Sequence, residues 1–256
     1  EECFKIWGIS MNDKYSNMPE IPEEYMQEHQ PEEDLEIIWN EGDALISGII
    51  AYYVPGSIDW ELIYTSPITG NENSIPVEVD QNGEFSTNIT VHSATNLYLI
   101  SPLVRIPIKV APGKESKVFV NQPEIYRKQR SNLQKDLKPY GGDEYYYAGY
   151  LSKLNTELRN KDISYAMNED YSDTIVNMNV NEYKNFMMKK YRESISHNNT
   201  LDISLLAKKI INSEETFLLA SRLSFAENEW IFAYSTKHNV PWEAAQREYQ
   251  PVNKAD

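Results

Sequence analysis

The sequence predicts an α+β protein, an N-terminal antiparallel β-sandwich followed by an all-α helical domain. Three observations carry this expectation. Before Asn121, short runs of alternating apolar residues are separated by turn signals. After it, apolar residues recur at three- and four-residue spacing. A period of 2 lines one face of a strand and a period near 3.6 lines one side of a helix, so the switch marks two packed units. Third, Asn82-Gly83 lies between alternating runs, a strong hairpin signal that points to a type I′ turn. The predicted divisions are an acidic N-terminal segment over 1–34, a sandwich over 35–121 and a helical domain over 122–256.

Each element has its own signal. Cys3–Ile9 reads as a first strand. Residues 12–34 are acidic and proline-bearing and read as a long loop with a short helix over Glu23–Glu28. Strands are then predicted over Leu35–Trp39, Ala44–Val54, Trp60–Thr65, Ile75–Val79, Glu84–Val91, Leu97–Ile100, Val104–Val110 and Lys117–Val120. Pro112-Gly113 suits the centre of a type II turn between the last two. This many short strands at such spacing suggest a sandwich. Asp80-Gln-Asn-Gly-Glu84 lacks the spaced oxygen ligands of a calcium loop, so it reads as the hairpin.

Helices are predicted after Pro123. Tyr147, Leu151, Leu154 and Leu158 fall at spacings of 4, 3 and 4 and form one stripe. Val180, Tyr183, Met187, Tyr191 and Ile195 form another. Leu201–Ile211 reads as a shorter helix, with Ser213 as the N-cap of the next and Glu214 and Glu215 placed well against its dipole. Leu219, Leu223, Ala226, Trp230 and Ala233 continue at helical spacing. Pro241 fits the first turn of a last helix through Trp242 and Tyr249.

Charge narrows the partners. Residues 1–80 hold 18 acidic and 2 basic side chains, a net of −16 within a whole-chain charge of −15. A surface this acidic repels phosphates, which argues against nucleic acid and anionic lipid. No apolar run reaches the length of a membrane span. The first residue is Glu1 rather than Met, which implies removal of something upstream. The single cysteine, Cys3, allows no intramolecular disulfide and no C-x-x-C pair. Glu1 and Glu2 before it are unlike the small apolar residues that precede a lipidated cysteine, so a free or buried thiol is expected.

No catalytic motif is visible, and no cofactor is implied. His29, His92, His197 and His238 never pair at the i, i+4 spacing of a helical metal site. Phosphate-binding glycine loops and nucleophile elbows are absent from the sequence. The best candidate for recognition is aromatic: Tyr145, Tyr146 and Tyr150, joined by Trp242. Tyrosine offers a large contact area with a polar tip. The competing expectation is that Tyr147 and its stripe partners are core while the other tyrosines line the joint between modules.

At these residues a resemblance enters. The strand module runs from Ile46-Ser-Gly-Ile49 through Asp80-Gln-Asn-Gly-Glu-Phe85 to Ala111-Pro-Gly-Lys114. It resembles the sandwich that opens many Gram-negative TlpA-like thiol-disulfide oxidoreductases, with their I-x-G, D-x-x-G-x-F and P-G marks. Tyr147-Ala-Gly-Tyr-Leu-Ser-Lys-Leu-Asn-Thr-Glu-Leu158 is similar to the Y-x-G-x-x-A-x-L-N-x-E-L motif that follows in those proteins, with Ser152 in place of Ala. The resemblance spans roughly residues 44–250. Those proteins carry their chemistry in a C-terminal thioredoxin domain with a W-C-x-x-C motif, which this sequence lacks. No catalytic residue is carried over.

The resemblance implies the non-catalytic N-terminal region of a longer periplasmic or cell-envelope protein. Its partner would be a C-terminal thioredoxin domain or that domain's protein client. A second reading is a stand-alone cell-envelope binding protein for a polymer or protein. A third is a hydrolase using a pair of carboxylates, which would need two of them facing across a deep pocket.

Overall fold

The computed structural model describes residues 18–29, 41–65, 70–130 and 141–248. The strands expected at Cys3–Ile9 and Leu35–Trp39, and Cys3 itself, lie outside the described residues. The chain forms two compact units, residues 1–159 and 160–256.

The first unit contains eight strands among its described residues: β1 (Gly42–Ile50), β2 (Glu61–Thr65), β3 (Glu72–Pro76), β4 (Glu84–Val91), β5 (Thr95–Ser101), β6 (Val104–Val110), β7 (Glu115–Val120) and β8 (Tyr145–Gly149). They build two four-stranded sheets, β4-β1-β7-β8 and β3-β2-β5-β6. Alternation dictates which face is buried. In β4, Phe85, Ile89 and Val91 point inward while Glu84, Ser86, Asn88 and Thr90 stay exposed. Ala44, Ile46 and Ile50 of β1 meet Leu62, Leu97, Leu99 and Ile106 of the other sheet in one core. Burying each such Leu or Ile contributes about 1.5–3 kcal/mol.

The expected α+β class is therefore observed, with three corrections in detail. β1 pairs with β7 in parallel, Leu45 beside Glu115, whereas every other described pair is antiparallel. The chain leaves β1, builds the second sheet and β4, and re-enters beside β1 in the same direction. Next, the sandwich does not end at Asn121. Tyr145–Gly149 is a strand on the open edge of β7, with Phe119 opposite Tyr146. The predicted stripe from Tyr147 to Leu158 is a strand, a turn and a short helix, whose mixed periods add up to a helix-like spacing. Three consecutive tyrosines favour the pleated surface.

The third correction concerns the Asn82-Gly83 hairpin. Only Gly83 of the pair has positive φ, at 84°, so the turn is not type I′. The Asp80 carboxylate accepts the Asn82 and Glu84 amides, each at 2.8 Å. The Gly83 amide donates to the Asp80 carbonyl at 3.1 Å. This is a type I turn followed by a left-handed glycine, a three-residue hairpin loop. A Cβ at Gly83 would stand 2.3 Å from the Ile50 carbonyl oxygen. The Pro112-Gly113 turn closes as expected, with the Lys114 amide donating to the Ala111 carbonyl at 3.2 Å.

Among its described residues the first unit also has two α-helices, α1 (Gln122–Arg130) and α2 (Ser152–Glu157). Asn121 caps α1 by accepting the Glu124 amide at 3.3 Å. Part of the acidic N-terminal segment is also structural. Glu23–Met26 forms a 3₁₀ turn. Its Tyr25, with Ile21, covers Ile49, Phe119, Tyr146 and Ala148 on the outer face of the first sheet.

The second unit is helical: α3 (Ser172–Ile175), α4 (Val180–Thr200), α5 (Leu205–Ser224), α6 (Ala226–His238) and α7 (Trp242–Glu248). Asn179 and Glu182 form a capping box at the start of α4. Ser213 does not cap a helix. It sits inside α5, where its hydroxyl donates to the Lys209 carbonyl at 2.7 Å. The cap of α5 is Ser204, which accepts the Ala207 amide. No Gly or Pro separates Leu205 from Ser224, so helix propagates straight through the Ser-Glu-Glu signal. Met167, Tyr171, Ile175, Tyr183, Met187, Leu219 and Trp230 share the core of this unit. Among the described residues, no helix is long and apolar enough to cross a membrane.

Candidate functional site

The motif that carries the family resemblance has a mechanical account. Tyr147 lies on β8 of the first sheet, and its hydroxyl donates to the Pro107 carbonyl of β6 in the second. Gly149 takes φ 86°, and a Cβ there would stand 2.6 Å from the Glu115 carbonyl oxygen, so only glycine lets the chain turn off β7 here. Ser152 accepts the His29 amide at 2.7 Å, tying down the N-terminal segment. Leu154 is buried. Asn155 grips the edge strand β6, accepting the Lys109 amide at 2.7 Å and donating to its carbonyl at 3.0 Å. The motif is thus a clasp running from one sheet to the other.

The predicted recognition residues divide along the strand. Tyr145 and Tyr147 face the sandwich core with ring centroids 5.6 Å apart. Burial pushes both phenols up from their ordinary range. Arg159 stacks over the Tyr145 ring at 4.1 Å, donates to its carbonyl at 2.8 Å and pairs with Asp143. Tyr146 points to the opposite face, where it packs edge-on against Phe119 and its hydroxyl accepts the Asp143 amide. Tyr150 is half-buried at the end of β8, with the Lys114 ammonium 4.7 Å from its ring. Trp242 belongs to the second unit, opens α7 and is 38% exposed. Strand alternation thus sends Tyr145 and Tyr146 to opposite faces of the sheet, so the two form no single patch.

A groove of about 630 Å³ lies on the outer face of the first sheet, beside the Glu23–Met26 turn. Ser47, Gly48 and Ile49 of β1 form part of its floor, and Glu24, Glu78, Asp80 and Glu84 stand around it. Lys117 reaches in from β7 and is held by Glu24 at 2.8 Å. That bond keeps the ammonium protonated above the ordinary lysine range. Asp80 is committed to the hairpin turn. Ser47 donates to Glu115 at 2.8 Å. Glu78 and Glu84 are exposed to solvent. Such a surface suits a cationic, extended ligand and repels anions.

Sequence reasoning did not assemble this groove. Its signals are present separately: the excess of acid before residue 80, the Asp80 turn and the short helix over Glu23–Glu28. What joins them is the β1–β4 register, which sets Ile49 opposite Glu84. Among the described residues, no group of three or more His, Cys, Asp or Glu side chains is placed to hold a metal ion.

No family model, curated protein or solved structure matches the chain.

Proposed function

We propose that this chain is the non-catalytic N-terminal region of a TlpA-like thiol-disulfide oxidoreductase of the Gram-negative periplasm or cell envelope. Its task is to position a thioredoxin domain or to present a client to it. The supporting observation is the clasp: the residues most like the family's motif, Tyr147, Gly149, Ser152 and Asn155, are spent on joining strand, helix and both sheets. Chemistry of that family needs two thiols that cycle through a disulfide, and these 256 residues contain one cysteine.

Sequencing the reading frame beyond the Asp256 codon tests the proposal. A W-C-x-x-C motif downstream supports it, and an immediate stop codon overturns it. The 256-residue chain should also reduce insulin no faster than dithiothreitol alone.

The groove favours a second reading, a stand-alone envelope binding protein for a polymer or protein carrying positive charge. Titration with oligolysine, with oligoglutamate as control, separates the readings. Saturable, salt-sensitive binding lost in Glu78→Gln with Glu84→Gln, combined with a stop codon after Asp256, would select the second.

A further inference from the structure

The two sheets end in four edges, and three of them carry devices against pairing with another chain. β3 has only five residues and bears Glu72 and Pro76. In β6, Pro107 offers no N–H, and Asn155 occupies both polar groups of Lys109. In β8, Arg159 takes the Tyr145 carbonyl.

β4 differs. The Ile50 amide donates to the Gly83 carbonyl on one side of β1, and the Leu45 amide to the Lys114 carbonyl on the other. With Gly48 opposite Phe85, the odd-numbered residues of β4 therefore turn their backbone polar groups toward β1, and the even-numbered ones turn theirs outward. Glu84 finds both its partners in Asp80: its amide donates to the carboxylate at 2.8 Å, and its carbonyl accepts the Asp80 amide at 2.9 Å. Beyond it, the outward amides and carbonyls of Ser86, Asn88 and Thr90 meet no backbone partner among the described residues. The stretch Ser86-Thr87-Asn88-Ile89-Thr90-Val91 holds neither charge nor proline, and its β-branched residues suit a strand.

Charge selects the occupant. Carboxylates stand at both ends of this edge. Glu78 and Glu84 line the groove beside Ser86, while exposed Asp43, bonded to the Thr90 hydroxyl at 2.7 Å, and Glu41 lie at the other end. Neither β1 nor β4 carries Lys or Arg. A second copy of this chain is the wrong partner. Paired antiparallel, it would bring Glu84 toward Asp43 of the other copy, and paired parallel, Glu84 toward Glu84.

We propose that the edge of β4 accepts an extended basic segment of another protein as an added strand. The segment's backbone bonds Ser86, Asn88 and Thr90, and its Lys or Arg side chains reach Glu78 and Glu84 in the groove. This deepens the second reading above and rests on the groove being a binding surface.

The probe is the capped peptide Lys-Thr-Lys-Thr-Lys-Thr-Lys, titrated into the full chain with amide exchange followed by NMR. In the free chain the Ser86, Asn88 and Thr90 amides should exchange faster than those of Thr87 and Ile89, and the peptide should protect them. Asn88→Pro removes an outward N–H and leaves the β1 ladder whole, so it should weaken binding about tenfold with the melting temperature nearly unchanged. The same peptide N-methylated at alternate residues should bind as poorly, and the version with Glu in place of Lys should not bind. Should Asn88→Pro not fold, the N-methylated peptide on the wild type decides. Amides of Ser86, Asn88 and Thr90 already protected in the free chain overturn the proposal: a concentration-dependent effect assigns the edge to a second copy, a concentration-independent one to another stretch of this chain. Undiminished binding of the N-methylated peptide also overturns it, and oligolysine binding lost in Glu78→Gln with Glu84→Gln would then leave the groove reading standing. Failure of both the peptide and oligolysine to bind removes both.

Discussion

Asn155 in the first unit and Asn198 in the second perform one chemical task on two kinds of backbone. Asn155 bonds both the N–H and the C=O of Lys109, on a regular edge strand. Asn198 bonds both polar groups of Ser164, in an irregular segment, at 2.8 and 2.9 Å. The sandwich satisfies most of its backbone through ladders, and Asn155 adds one rung where the ladder ends. Around Ser164 there is no ladder, so α4 and α5 supply side chains in its place: Ser194, Asn198, Glu215 and Arg222. A β unit can be specified largely by which side chains are apolar. An irregular segment against helices needs particular polar residues at particular positions, because each buried N–H and C=O must find a partner.

That contrast can be broken or sharpened by substitution. The largest expected effect is on the sandwich core, where Leu99 has no exposure. Leu99→Ala should lower stability by about 3–4 kcal/mol, read from the urea midpoint. A loss below about 1 kcal/mol would mean that the two sheets do not share one packed core.

Asn198→Ala comes next, at about 2–3 kcal/mol, because it empties a fully buried site and leaves the Ser164 amide without its acceptor, while Ser194 still holds the Ser164 carbonyl. Asn155→Ala should cost less, about 1–2 kcal/mol, since half-buried Lys109 can recover water. The reverse order would refute the claim that irregular backbone depends more heavily on its side-chain partners.

The smallest pair separates Tyr146 from Tyr150. Tyr146→Ala should cost about 1–2 kcal/mol through its lost contact with Phe119. Tyr150→Ala should stay within about 0.5 kcal/mol. Equal losses would show that Tyr150 is also structural and leave Trp242 as the most exposed of the predicted aromatic recognition residues.

Legibility in the sequence followed the same contrast. β4 and β6 match their expected bounds residue for residue, because strict alternation left one face to bury. The helix from Val180 was equally plain in its apolar stripe, and its Asn179–Glu182 box was a further local signal that the sequence reading did not use. β8 was misread because a five-residue strand followed by a turn and a short helix imitates helical spacing. The parallel β1–β7 pair left no local trace, since register between distant strands is a property of the whole sheet. The groove was hidden for the same reason. Buried Glu215 was misread because an N-cap signature and a buried acid look alike until the preceding helix is known to continue.

The parallel pairing also sets an order of events during synthesis. β1 must wait for a partner 70 positions downstream, since Leu45 pairs with Glu115. The far edge of that partner stays open until Tyr145–Gly149 has emerged. A ribosome that has just delivered Asn121 therefore holds a nearly complete sandwich with a bare strand carrying Val118, Phe119 and Val120. Loop closure over such distances slows folding, and a bare apolar edge invites pairing with other chains. Any fragment of the first unit intended to remain monomeric should therefore extend to Arg159, past both the closing strand and its clasp.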